Sequence, residues 1–146
     1  MSVILSFKDK KREKEITYER KMLRELSLEQ LRNRVDEYFG HFYPVNRIFP
    51  SSVEDGCIDV AIEAFLLGAS YSRFGYYGES SEEVRRRCIK EERYLVNTLF
   101  DVFCFWGNID DSLVGESLYY ACEHYVSTWW EEGFEKGRRR WRLKLR

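Results

Sequence analysis

Only two prolines and two histidines, His41 and His124, occur in this 146-residue chain. With so little proline, long stretches run free of helix breakers. The shortage of histidine removes the Glu-x-x-His pairs that a di-iron helical bundle requires, because Ala121 stands three residues before His124. The four cysteines, Cys57, Cys88, Cys104 and Cys122, form no Cys-x-x-Cys pair. Local zinc-ribbon and thioredoxin-like signatures are therefore missing. Each cysteine lies in an apolar helical pattern and reads as a small buried hydrophobe.

Long apolar runs are absent as well. No stretch approaches the roughly 20 residues that cross a bilayer, and Val3-Ile4-Leu5 with Phe7 is too short for a signal-peptide core. A cytoplasmic protein without a transmembrane segment or disulfides is expected. GxSxG, GxxxxGK[ST] and GxGxxG are missing. Gly75-Tyr76-Tyr77-Gly78 lacks the lysine and the preceding strand of a phosphate cradle. Glu79-x-x-Glu82 matches half of a helical pyrophosphohydrolase metal motif, without its second pair. No cofactor and no metal site is expected from these patterns.

What is present is material for a helical core. Hydrophobic residues make up 44% and aromatics 16% of the chain, enough for one domain to fold without staples. Lys8 to Leu26 is a charged surface helix with Ile16, Leu23 and Leu26 as its apolar stripe. Ser27 with Gln30 has the form of a capping box, and Leu28, Leu31, Val35, Tyr38, Phe39 and Phe42 continue a helical face. Pro44 and Pro50 punctuate a packed loop, after which Ser51 with Glu54 signals a helix from about Val53 to Ser72. Ser80 with Glu83 opens a long helix carrying Val84, Cys88, Leu95, Leu99, Phe103 and Trp106. The last helix starts near Asp111 or Ser112. It carries one stripe from Val114 to Trp129 and a second through Trp130, Phe134, Gly137, Trp141 and Leu145. The expectation is an all-α, single-domain bundle of about five helices, three of them long, with no sheet. Residues 1–7 form a docked or frayed arm, and 136–146 the basic end of the last helix.

Two features point toward function. Asp55, Asp59 and Glu63 are four residues apart in a strongly apolar segment, so a helix presents them on one face. In a closed cavity such carboxylates would suit acid-base work or divalent metals; otherwise they form a stripe that reaches solvent or pairs with Arg85, Arg86 and Arg87. Tyr76, Tyr77 and His124 are the candidate neighbours of that polar site. The second feature is the tail, where Lys136 to Arg146 holds seven basic residues and no acidic one, leaving 17 basic against 25 acidic elsewhere. Arg138, Arg139, Arg140 and Arg142 are candidate anion-binding residues for an anionic membrane or nucleic acid. The competing reading is a helix end whose cations complement the macrodipole. Gly133 and Gly137 allow a close helix approach, within the monomer or in a homodimer.

The segments GCIDVAIEAFLLG at Gly56 to Gly68, FGYYGES at Phe74 to Ser80, and Trp129-Trp130 with Gly133-Phe134 resemble the YbaK-type family of spore-forming Gram-positive bacteria. This uncharacterised family is distinct from the tRNA-editing family that shares the name. The likeness spans nearly the whole chain and implies a small all-helical bacterial protein, with no catalytic residue to carry over. The resulting expectation is a non-catalytic interaction or regulatory protein acting through a protein partner or self-association. Its alternatives are a small-ligand or metal-dependent enzyme on the Asp59/Glu63 face, and peripheral membrane or nucleic-acid binding through the basic end.

Overall fold

The computed structural model describes residues 3–43, 49–107, 109 and 111–144. Pro44, Arg47 and Leu145 lie outside them. Among the described residues there is no strand, and the elements in chain order are α1 (Val3–Leu23), α2 (Leu28–Phe39), a 3-10 turn (Gly40–Phe42), α3 (Ser51–Ser70), α4 (Ser72–Tyr76), α5 (Ser81–Arg87), α6 (Ile89–Trp106) and α7 (Asp111–Lys144). The all-α reading holds; the helix count does not. Among the described residues seven α-helices take the place of the expected bundle of about five, and α1, α3, α6 and α7 are all long.

Two local departures explain the count. The aromatic turn after α3 winds into one helical turn, α4, which ends near Gly78, where φ is +109° and glycine is favoured. The long helix expected from Ser80 breaks at Cys88, whose φ of −122° and ψ of 26° are not helical. The Cys88 N–H donates to Arg85 O at 3.1 Å, and its carbonyl accepts from Glu92 N at 3.0 Å. One buried residue thus closes α5 and opens α6.

Two of the three capping signals operate. Ser27 Oγ accepts from Gln30 N at 3.1 Å, and Ser80 Oγ accepts from Glu83 N at 3.2 Å. The Gln30 side chain does not reach back to complete a box; it donates to Glu132 at 3.2 Å. Ser51 caps nothing, because α3 begins on Ser51 itself and Pro50 is the N-cap. Its hydroxyl stands one residue too late, and the Pro50 carbonyl accepts from Val53 and Glu54 instead.

The core forms where α3 crosses α7, the most extensively packed pair. A Cβ on Gly68 would overlap the Trp130 carbonyl oxygen, and one on Gly133 would overlap that of Phe65. The close approach foreseen at Gly133 is therefore made within the monomer. Around it Val60, Ala61, Ala64, Phe65, Leu118, Tyr125, Val126 and Trp129 are buried. Phe39 joins from α2, its ring 4.6 Å from Phe103 and 5.1 Å from Tyr125. Each such large side chain removed from water contributes about 1.5–3 kcal/mol. A smaller cluster joins Val84, Cys88, Trp130 and Phe134, with the last two rings stacked at 5.1 Å.

Four apolar assignments are corrected by this packing. In α1, Ile16 and Leu23 face water, while Met22 is buried and Tyr18 donates to Ala69 O at 3.0 Å. Leu28 and Trp106, placed on inward faces by their spacing, are exposed. Each sits at a helix terminus, beyond the neighbouring helix that would cover it. Cys57, Cys88 and Cys122 are buried thiols and Cys104 is half-buried.

Candidate functional site

The three carboxylates of α3 share a face, and that face is wet. Asp55, Asp59 and Glu63 are all exposed, so no closed cavity surrounds them. Glu63 edges an open groove of about 660 Å³ shared with Glu19, Lys90, Glu91 and Tyr94; Asp55 and Asp59 do not line it. Tyr76 is half-buried and Tyr77 exposed, their rings perpendicular at 5.2 Å. His124 lies in a different groove, so the six candidate polar residues do not converge. Among the described residues no group of three or more His, Cys, Asp or Glu is placed to hold a metal ion.

The arginine run Arg85-Arg86-Arg87 does not pair with those carboxylates. Arg87 turns toward the α4–α5 turn, its Nε donating to Glu79 at 3.0 Å with the guanidinium 4.2 Å over the Phe74 ring. This pairing holds the Glu79 carboxyl below its ordinary range. Arg85 turns the other way, onto α7. It donates to Ser127 O at 3.0 Å and pairs with Glu131 at 3.1 Å, its guanidinium 4.9 Å over Trp130. Carbonyl, carboxylate and ring together fix that guanidinium.

Arg85 forms one end of a groove of about 630 Å³ between α5–α6 and α7, also lined by Arg86, Ile89, Glu92, Arg93, Tyr119, Tyr120, Glu123 and His124. Arg86 and Arg93 are exposed, and two apolar residues stand open beside them, Ile89 at 52% and Tyr120 at 63%. Tyr119 is set by a 2.9 Å hydrogen bond to Asn97 Oδ1. Burial raises the pKa of Glu92, with Arg85 opposing and Glu131 adding to the rise. Helical spacing had singled out His124 and the arginine run; the groove that joins them arises only when α5 is tilted off α6 at Cys88.

A second polar cluster went unread in the sequence. Glu132, 20% exposed, accepts from Arg34 at 2.7 Å and from Gln30 at 3.2 Å and pairs with Lys136 at 3.5 Å. Arg34 also lies 3.8 Å over the Trp129 ring. Arg34 and Gln30 lie about a hundred residues from Glu132 in the chain, and no local pattern announces them.

At the basic end, Arg138 pairs with Glu135 at 2.8 Å, and Arg140 reaches Glu25 at 3.1 Å and Lys21 O at 3.3 Å. Arg139 and Arg142 are exposed. Among the described residues no helix is long and apolar enough to cross a membrane.

The whole chain, residues 1–146, matches the family described as "Protein of unknown function (DUF2521)". The chain belongs to this family. It is 34% identical over 147 residues to "Uncharacterized protein YbaK" of Bacillus subtilis (strain 168), with all of both chains covered. This agrees with the resemblance carried by the Gly56–Gly68 and Phe74–Ser80 segments. No solved structure matches the chain significantly. The DUF2521 family description names no activity, so the site's chemistry has to carry the functional reading.

Proposed function

We propose that this chain is a cytoplasmic, non-catalytic interaction protein whose α5–α6–α7 groove receives an acidic segment of a protein partner. The observation that carries the reading is the composition of that groove. Arginine and tyrosine dominate binding hot spots, and here Arg85 is held rigid while Arg86, Arg93, Ile89 and Tyr120 stand open to solvent. Arg85 is already engaged by Glu131; of the other groove charges Arg86, Arg93 and Glu123 are exposed and Glu92 is partly buried, so two open arginines face one open carboxylate on a chain of net charge −1. Such a groove attracts an acidic partner.

The exposure of Asp55, Asp59 and Glu63 argues against the enzyme alternative. Thermal melts with chelator, Mg²⁺, Mn²⁺, Zn²⁺ and nucleotides test the choice, since any ligand preferring the folded state raises its stability. The interaction reading expects no rise that depends on the carboxylates. A rise abolished by Asp59→Asn with Glu63→Gln would transfer the function to the α3 face.

Self-association is a second reading, favoured by Phe105 and Trp106, adjacent at the end of α6 and 80% and 64% exposed. A contiguous exposed aromatic pair is characteristic of contact surfaces. Sedimentation velocity across a concentration series would show a dimer that Phe105→Ser with Trp106→Ser dissolves. A monomer at every concentration removes this reading.

A further inference from the structure

The fold brings together two basic segments that the sequence keeps at opposite ends. Lys8 to Glu25 holds eight basic and five acidic residues, and Lys136 to Arg146 seven basic and none acidic; everything else holds nine basic and twenty acidic. α1 and the turn after it lie along the end of α7, tied by Arg140 to Lys21 O at 3.3 Å and to Glu25 at 3.1 Å, and by Lys136 to Glu25 O at 3.4 Å. A groove of about 1030 Å³ opens between the two helices. Lys10, Lys14, Lys21 and Arg140 line it, against Glu13 and Glu25, and the latter is already engaged by Arg140.

This basic groove is also apolar. Trp141 and Leu143 line it, Leu143 with 70% of its surface in water. Cations interleaved with tryptophan and aliphatic side chains are the composition of a surface that lies in the headgroup layer of a bilayer. The remainder of the molecule is strongly acidic, so an anionic surface repels it and orients this end inward.

We propose that the α1–α7 groove is a docking site for an anionic phospholipid surface. Lipid phosphates sit against Lys10, Lys14, Lys21 and Arg140, while Trp141 and Leu143 enter the boundary between headgroups and acyl chains. Nucleic acid would answer the same charge but gains nothing from Leu143. The site is separate from the Arg85 groove and stands or falls independently of it.

The test is co-sedimentation of the full chain with phosphatidylcholine vesicles, with and without phosphatidylglycerol, at low and high salt. Binding is expected only to the phosphatidylglycerol vesicles and is expected to weaken as salt rises. Lys10→Glu with Lys14→Glu, both exposed and distant from the core, should weaken it at least about tenfold, each cation near a charged surface counting about fivefold. Leu143→Ser should weaken it without changing its salt dependence. Equal retention on both vesicle types, or retention unchanged in both variants, overturns the proposal. So does tighter binding to duplex DNA than to phosphatidylglycerol vesicles at the same salt, which would assign the groove to nucleic acid.

Discussion

Gly68 of α3 and Gly133 of α7 are reciprocal partners: each lies where a Cβ would overlap a backbone carbonyl of the opposite helix, Trp130 for Gly68 and Phe65 for Gly133. The two helices therefore meet backbone to backbone. The side chains flanking this contact, Phe65, Trp129, Trp130 and Phe134, are among the largest members of the buried core.

Gly133→Ala and Gly68→Ala should each destabilise by about 3 kcal/mol or more, because a carbonyl cannot yield as a side chain can. Gly78→Ala should cost only about 1 kcal/mol: nothing crowds its Cβ, and the strain is confined to its φ of +109°. Urea denaturation of the three variants checks the ranking. Similar small losses at all three positions would show that α3 and α7 can separate without consequence.

Glu132 should behave as a buried hub. Its removal leaves Arg34 half-buried over Trp129 without its carboxylate, so Glu132→Ala is expected to cost about 1–3 kcal/mol. In a double-mutant cycle with Arg34→Ala, the coupling should be about 1–2 kcal/mol. Additive losses would mean that the 2.7 Å pair contributes no more than an exposed ion pair.

Glu92 predicts a pH signature of definite sign. Its folded-state pKa is raised, chiefly by burial, so the folded protein holds that proton more tightly than the unfolded chain does. Its favourable contribution is complete below the unfolded carboxylate pKa and is lost as pH rises through the higher folded value. Glu92→Gln should melt above the wild type at neutral pH, and the difference should close on acidification below the ordinary glutamate range. Melting curves across that range decide it; a variant less stable at neutral pH would mean that the ionised carboxylate is needed there, for instance by Arg85.

The thiols should separate by burial. Burial pushes Cys88 up to about 11 and raises Cys57 and Cys122 further still. Under native conditions a thiol reagent should label half-buried Cys104 first and the other three only as the protein opens. Rapid labelling of Cys57 would contradict the packing of α3 against α7.

Much of the helical architecture was legible because long amphipathic patterns and serine caps are local. Ser27 and Ser80 cap where their spacing says they should, and Leu95, Leu99 and Phe103 turn inward on schedule. The misses arose where tertiary contacts decide. Met22 rather than Ile16 faces the core of a helix too charged to show a stripe, and Cys88 breaks a pattern that remains apolar across the break. The candidate site was less legible for the same reason. Helical spacing placed Asp55, Asp59 and Glu63 on one face but could not say that no other element covers it. The arginines of α5 divide between α7 and the α4–α5 turn according to partners that are distant in sequence.

The central claim is that the groove at Arg85, Arg86 and Arg93 receives a protein. A photo-crosslinking amino acid at Tyr120, compared in living cells with one at the somewhat more exposed Tyr77, tests this. A discrete protein adduct is expected at Tyr120, none at Tyr77, and the adduct should be lost when Arg86→Glu and Arg93→Glu reverse the charge of the groove. An adduct that survives charge reversal, or no adduct at Tyr120, would contradict it.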